Sequence, residues 1–244
     1  MLDFVLPNER YSVSDYKKQA EHRIKEILDN GKIPIVVGGT GLYIETLIYG
    51  IEFHEEEFDA EYRAYLSDIA KKQGLEKLYK RALEIDEEAA KKISPNDEKR
   101  IIRILEIYNK TGKTKTQIDK ESRQKEMKYD YKIFVINLSR EKLYERINLR
   151  VDKMLEEGLV EEVRQIVEKY NNFPTSMQGI GYKEVIKFLN GESSYQEMAE
   201  EIKKGTRHYA KRQITWFKKY QDAIWLDGEQ DINKNIKIIK QTLK

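Results

Sequence analysis

Ile33-Pro34-Ile35-Val36-Val37-Gly38-Gly39-Thr40-Gly41-Leu42-Tyr43-Ile44 is the stretch on which the fold turns. A short continuous apolar run predicts a strand buried on both faces, and a glycine turn followed by a second apolar run predicts a helix leaving it. Strand, glycine turn and helix make up the unit of a parallel α/β sheet. Upstream, Ser14 precedes a helical pattern that runs to about Asn30, with Gly31 as its stop. Residues 1–50 therefore read as α/β core.

The 244 residues carry 45 Lys+Arg against 43 Asp+Glu, a net charge of +2, which excludes a uniformly basic protein and confines any nucleic-acid footprint to a local patch. Charged residues make up 36%, yet 39% hydrophobic content with 16 Tyr, 7 Phe and 2 Trp is too apolar for a disordered chain. The absence of cysteine removes disulfides, thiol nucleophiles, iron–sulfur clusters and Cys-ligated zinc. No apolar run approaches the ~18 residues of a membrane span, and the start lacks the basic and apolar regions of a signal peptide. A cytoplasmic protein with no membrane partner is expected.

From Glu52 the sequence turns charge-rich and helical. Asp59 reads as the cap of a helix through Gln73, with more helix across residues 75–92. Ser94-Pro95-Asn96-Asp97 reads as a capping box with proline at the first helical position. The helix after it sets Ile101, Ile104, Leu105 and Tyr108 on one face and Arg100 and Arg103 on another, and Gly112 ends it. Tyr131–Ile136 is a second expected strand. Residues 52–129 are thus expected to be a helical insertion in a core made of 1–51 and 130–244. Beyond that strand the pattern predicts helices over roughly 141–157, 159–170, 182–190 and 194–220.

Three places can carry chemistry. The Gly38–Gly41 turn lets a backbone come close to a phosphate at a helix start, and equally serves as a plain tight turn. Residues 141–157 place Leu143, Ile147, Val151 and Met154 on a core face, with Arg146, Arg150 and Lys153 on a separate ridge. That ridge suits a diphosphate clamp, although spacing alone favours a salt-bridged surface. Lys203–Lys219 holds seven Lys/Arg and no acid, with Ala210, Ile214 and Phe217 as its apolar stripe and Arg207, Lys211 and Lys218 along another side. Basic charge interleaved with aromatics, Trp216 among them, suits a nucleic-acid backbone.

Other features carry less. Gly112-Lys113-Thr114 imitates the end of a P-loop, but Ile107 stands where the first glycine is required, and no complete P-loop occurs in the chain. His22, His54 and His208 show no metal-ligand spacing, and His54-Glu55-Glu56-Glu57 reads as a solvated acidic loop.

Taken together, these stretches resemble the tRNA dimethylallyltransferase (tRNA isopentenyltransferase) family. The matching residues are Gly38-Gly39-Thr40-Gly41-Leu42-Tyr43, Pro95 through Arg103 with Thr111-Gly112-Lys113, Arg146 through Leu155, Met177 through Glu184, and Thr206 through Phe217. The resemblance implies transfer of a dimethylallyl group from its diphosphate, with Mg2+ bound to that diphosphate, to N6 of the adenine 3′ of a tRNA anticodon. It also implies a P-loop-NTPase-like parallel sheet core with an α-helical insertion domain and a helical C-terminal part, acting as a monomer.

Carried over by motif, Arg150 would be the catalytic residue holding the diphosphate, with Arg146 beside it. Lys99, Arg100, Ile101, Ile102 and Arg103 would grip the anticodon arm, and Arg63 would add a contact. Thr40 would line the tRNA-facing end of the tunnel. Gln178, Gly179, Ile180, Gly181, Tyr182 and Lys183 would hold the anticodon loop, together with Lys211, Arg212, Gln213, Ile214, Thr215, Trp216, Phe217 and Lys218.

The family pattern also includes a P-loop and an Asp-Ser segment whose aspartate is its general base, and neither is present here. Met1 aligns inside the pattern, just before Pro7-Asn8-Glu9-Arg10-Tyr11-Ser12-Val13. The core is therefore expected to be truncated at its N-terminus, inactive alone, and unstable in its α/β part while residues 52–129 keep their structure. Two other functions compete with transfer: a non-catalytic tRNA-binding remnant, and a prenyltransferase of free adenine nucleotides. The insertion and the long basic helix argue against the latter, because a mononucleotide needs neither.

Overall fold

The computed structural model describes residues 1–51, 59–123 and 127–243. The expected start of the insertion at Glu52 and the acidic stretch His54–Glu57 lie outside them. The chain divides into two compact units, Met1–Ile44 with Asp130–Lys244, and Glu45–Tyr129.

The first unit opens with α1 (Val13–Asp29), and α2 (Gly41–Ile48) follows the glycine turn. Ser12, not Ser14, caps α1. Its Oγ accepts the Asp15 amide at 3.2 Å while the Asp15 carboxylate accepts the Ser12 amide at 2.8 Å. The reciprocal pair needs an acid three residues on, which Ser12 has and Ser14 lacks.

In the second unit, α3 (Ala60–Gln73), α4 (Leu75–Ile85), α5 (Glu87–Lys91), α6 (Glu98–Thr111) and α7 (Lys115–Arg123) follow one another. Asp59 caps α3 as expected, accepting the Tyr62 amide at 2.8 Å. The cap of α6 is Asp97, not Ser94. Asp97 donates its amide to the Ser94 carbonyl at 2.9 Å, so Ser94-Pro95-Asn96-Asp97 is a turn with proline second, where its fixed φ fits. Leu66, Leu78, Ala82, Ala90, Ile101, Ile102, Ile104 and Leu105 form the core of this unit. Tyr108, expected on the same face, is exposed because it stands a turn past Leu105, the last α6 residue of that core.

Buried Asp86 joins α5 to α7. Its carboxylate accepts the Thr116 hydroxyl at 2.6 Å, the Thr116 amide at 2.8 Å and the Ala89 amide at 3.0 Å. Burial pushes its pKa upward, but the bonds from Thr116 and Ala89, with the charge of Lys115, more than offset this and hold it below the usual value. A carboxylate depressed in the folded state stabilises the fold above its unfolded pKa of about 4 and loses that contribution as pH falls through the folded value. The urea resistance of this unit is therefore expected to drop below about pH 4, and less steeply in Asp86→Asn. An identical acid limb in that variant would remove Asp86 from the account.

The chain returns to the first unit through β1 (Phe134–Asn137), then α8 (Arg140–Glu156), α9 (Leu159–Lys169), a 3-10 turn at Ser176–Gln178, α10 (Tyr182–Leu189), α11 (Tyr195–Phe217), β2 (Ile224–Asp227) and α12 (Ile232–Thr242). β1 and β2 pair in parallel, from Phe134 opposite Ile224 to Asn137 opposite Asp227. Val151, Leu159, Val163, Met177, Val185, Met198 and Ile202 form the core beneath α8 to α11. The protein is thus a helix-rich α/β fold with a small parallel sheet.

The expected strand at Ile33–Val37 does not form among the described residues. Ile35 is 80% exposed and Val37 90% on one side, and Val36 is 42% exposed on the other, so neither face is covered as a buried strand requires. A parallel strand exists only through its neighbours' hydrogen bonds, and nothing described pairs with this one. β2 and α12 were not anticipated. Four residues after a long helix are too few to show a period, and α12 buries no residue that would mark an apolar face.

Candidate functional site

The glycines of the turn after Val37 are explained by α11. A Cβ on Gly41 would lie 2.5 Å from Cγ and Cδ1 of Trp216, and one on Gly39 would lie 2.1 Å from Nε2 of Gln213. That amide donates to the Gly39 carbonyl at 2.9 Å. Gly38, in contrast, meets nothing within 4 Å. Gln213 and Trp216 therefore key the basic helix into the turn, and exposed Thr40 stands beside them, its carbonyl accepting the Tyr43 amide at 2.9 Å as α2 begins.

Beside the turn lies a cavity of about 230 Å³ lined by Phe4, Tyr11, Tyr16, Gly38, Thr40 and Tyr43 among others. Tyr16 and Tyr43 stack with ring centroids 4.2 Å apart, and Phe4 meets Tyr11 edge-on at 5.4 Å. Burial above all raises the Tyr16 and Tyr43 pKa values, so both phenols stay protonated at neutral pH. An aromatic wall beside a backbone turn can stack a flat base or hold an apolar chain. Sequence reasoning missed this wall; only Tyr43, inside the glycine motif, carried a local signal.

α11 splits its basic run in two. Lys203 bonds Asp152 of α8 at 2.7 Å, and Arg207 donates to Asn148 of α8 at 2.8 Å, which fastens this half to α8. An acid missing from the local sequence, Asp152, is thus supplied from α8, together with the neutral amide of Asn148. Further along, Lys211, Arg212, Thr215 and Lys218 are exposed, and Lys211, Arg212 and Lys218 have no ion pair among the described residues. Ile214 and Phe217 are half-buried, and Lys219 lies 4.0 Å over the Trp216 ring.

On α8, Ile147 and Val151 are buried while Arg146, Arg150 and Lys153 are exposed, so the expected ridge stands clear of the core. Lys153 pairs with Glu157 at 3.5 Å; Arg150 has no ion pair among the described residues. In the loop before α10, Gln178, Gly179 and Lys183 are exposed and Ile180 is half-buried beside Gly205 of α11. Gly181 takes φ +101 and donates its amide to buried Glu184 at 2.8 Å. Tyr182 donates to Glu162, and burial together with that carboxylate pushes the phenol up to about 12.

In the second unit, Lys99 and Arg100 are exposed at the start of α6, with Arg100 3.3 Å from Asp97. Ile101 and Ile102 are 0% and 6% exposed, so their side chains pack the core and leave contact to the neighbouring cations. Arg63 and Arg103 both bond Glu106. Among the described residues, no three His, Asp or Glu converge on a metal position, and no helix is long and apolar enough to cross a membrane.

Fold and site together define an α/β protein whose basic helix is keyed into a glycine turn. A family model described as IPP transferase matches residues 1–220, and the chain belongs to that family. A tRNA dimethylallyltransferase of Caldanaerobacter subterraneus subsp. tengcongensis is 49% identical over 228 residues, 92% of this chain and 72% of its own length. The solved full-length tRNA isopentenylpyrophosphate transferase of Bacillus halodurans is 34% identical with a TM-score of 0.66, over 97% of this chain and 74% of that one. A solved eukaryotic dimethylallyltransferase acting on tRNA is 30% identical with a TM-score of 0.71, over 92% and 58%. The resemblance read from the motifs is borne out.

Proposed function

We propose that this chain serves transfer of a dimethylallyl group from its diphosphate to N6 of the adenine 3′ of a tRNA anticodon, on a P-loop-NTPase-like core. The observation that carries the reading is the exposed row Lys211, Arg212 and Lys218, held beside Thr40 because Gln213 and Trp216 lock α11 to the glycine turn. A row fixed in this way offers a nucleic-acid backbone a defined position. In the reaction N6 attacks the first carbon of the dimethylallyl group, the bond from that carbon to oxygen breaks, and the diphosphate leaves. Arg150 and Arg146 would balance the charge gathering on the leaving group. Mg2+, which the family resemblance implies together with the diphosphate, would share with Arg150 and Arg146 in neutralising that charge.

Transfer also needs a group to take the N6 proton. The exposed row Lys211, Arg212 and Lys218 would by itself also serve a second reading, RNA capture without turnover. Incubating the chain with dimethylallyl diphosphate and an anticodon stem-loop separates the two: prenylated adenine is the result expected of transfer, and salt-sensitive RNA binding without product would overturn it in favour of capture alone. In the same assay Arg100→Ala and Lys211→Ala should each weaken binding and lower the salt slope by about one, since a lost phosphate contact releases about one counterion fewer. Unchanged affinity and slope in both would remove the RNA reading.

A further inference from the structure

Glu106 lies on α6 at 3% exposure, a carboxylate inside a helical core. Two arginines reach it. Arg63 of α3 donates from Nε to Oε1 and from Nη2 to Oε2, both at 2.7 Å, and Arg103 donates from Nη1 to Oε2 at 2.8 Å. The first pair is the two-pronged geometry that fixes the plane of a guanidinium. The second spans one helical turn. Beyond these bonds, 33% of the Arg63 side chain and 41% of the Arg103 side chain remain exposed.

Stability alone does not call for this arrangement. Leu66, Ile69 and Ala70 of α3 already pack on the core that holds Ile101, Ile104 and Leu105 of α6. A buried ion pair generally adds no more stability than an apolar pair of the same size. What the carboxylate supplies that an apolar residue cannot is orientation: two guanidiniums from different helices brought to one point, with the acid hidden beneath them. Glu106 is hidden while part of each arginine side chain reaches the surface, so what the arrangement presents there is guanidinium. Arg100, a turn earlier on the same helix, extends that cationic edge.

We propose that Glu106 is a positioning residue that sets Arg63 and Arg103 as a paired fork for one RNA phosphate. This rests on the reading that α6 grips RNA. Glu106 itself touches no RNA; it fixes the arginines before binding, so their ordering entropy is not lost on association. Burial pushes its pKa upward, but the two arginines outweigh that and keep it below the ordinary carboxylate range, so it remains charged at neutral pH.

The test exploits opposite signs. Glu106→Gln removes a negative charge from a basic surface, so electrostatics without positioning predicts tighter RNA binding. Positioning predicts the reverse: an anticodon stem-loop bound about tenfold more weakly, with a salt slope lower by about one. Arg63→Lys, which keeps the charge and loses the fork, should weaken binding in the same way, and it decides the matter if Glu106→Gln does not fold by circular dichroism. Unchanged or tighter binding in a folded Glu106→Gln, or in Arg63→Lys, overturns the proposal. Arg100→Ala separates the two claims. Weakened binding there, with Glu106→Gln unaffected, overturns the role of Glu106 alone, whereas no effect of Arg100→Ala overturns the use of α6 by RNA and this proposal with it.

Discussion

Replacing Leu66 by alanine is expected to destabilise the unit built from α3 to α7 by about 2–5 kcal/mol, the cost of removing buried methyl groups and leaving a cavity. Leu66 is 0% exposed and sits among Leu78, Ala82, Ile101 and Leu105. Small residues such as Ala82 and Ala90 cannot move enough to fill the space. For a unit of this size each kcal/mol lowers the melting midpoint by roughly 4–8 °C, so a loss of roughly 8–40 °C is expected. The effect should stay local, because the core around Val151, Val163, Val185 and Met198 shares no residue with that of Leu66. Hydrogen exchange reads this directly. Faster exchange is expected over residues 60–111 with little change over 140–217; equal acceleration of both would show that one cooperative core spans the protein.

Gly41→Ala should have the second largest effect. The new Cβ would meet Cγ, Cδ1 and Cδ2 of Trp216 at 2.5–2.6 Å, ring atoms close to the α11 backbone that cannot swing aside as a chain end can. About 1–3 kcal/mol of overpacking follows, together with displacement of the helix segment carrying Lys211 and Lys218. In a Trp225→Phe background, Trp216 emission should shift to the red and RNA affinity should fall. Adding Trp216→Ala should recover part of the stability, because the two changes share one contact. Gly39→Ala should cost less, since it meets the flexible amide end of Gln213. If Gly41→Ala melts no lower than Gly39→Ala, the keying of α11 into the turn is wrong.

The helices were legible where caps and periodicity agree. Asp59 with α3, Gly112 at the end of α6, and the limits of α8, α9 and α10 follow from residues adjacent in sequence. Long-range pairings were not. Arg63 and Glu106 are 43 residues apart, and nothing local in either helix marks them as partners. The glycine turn was legible as a place of close approach, but the approaching groups, Gln213 and Trp216, come from the far end of the chain. Ile33–Val37 has the composition of a buried strand and stands exposed, because composition reports what a segment requires and only the surrounding chain decides whether it is met.

The pairing of β1 with β2 bears on the order in which this protein is made. Phe134 must wait for Ile224, with all of α8 to α11 lying between them in the chain. During synthesis those helices leave the ribosome and can pack on one another while β1 still lacks its neighbour, with Ile136, 71% exposed even in the finished sheet, open to passing chains. The sheet is therefore a late, high-contact-order step, and the interval before Ile224–Asp227 emerges is when a chaperone would matter most.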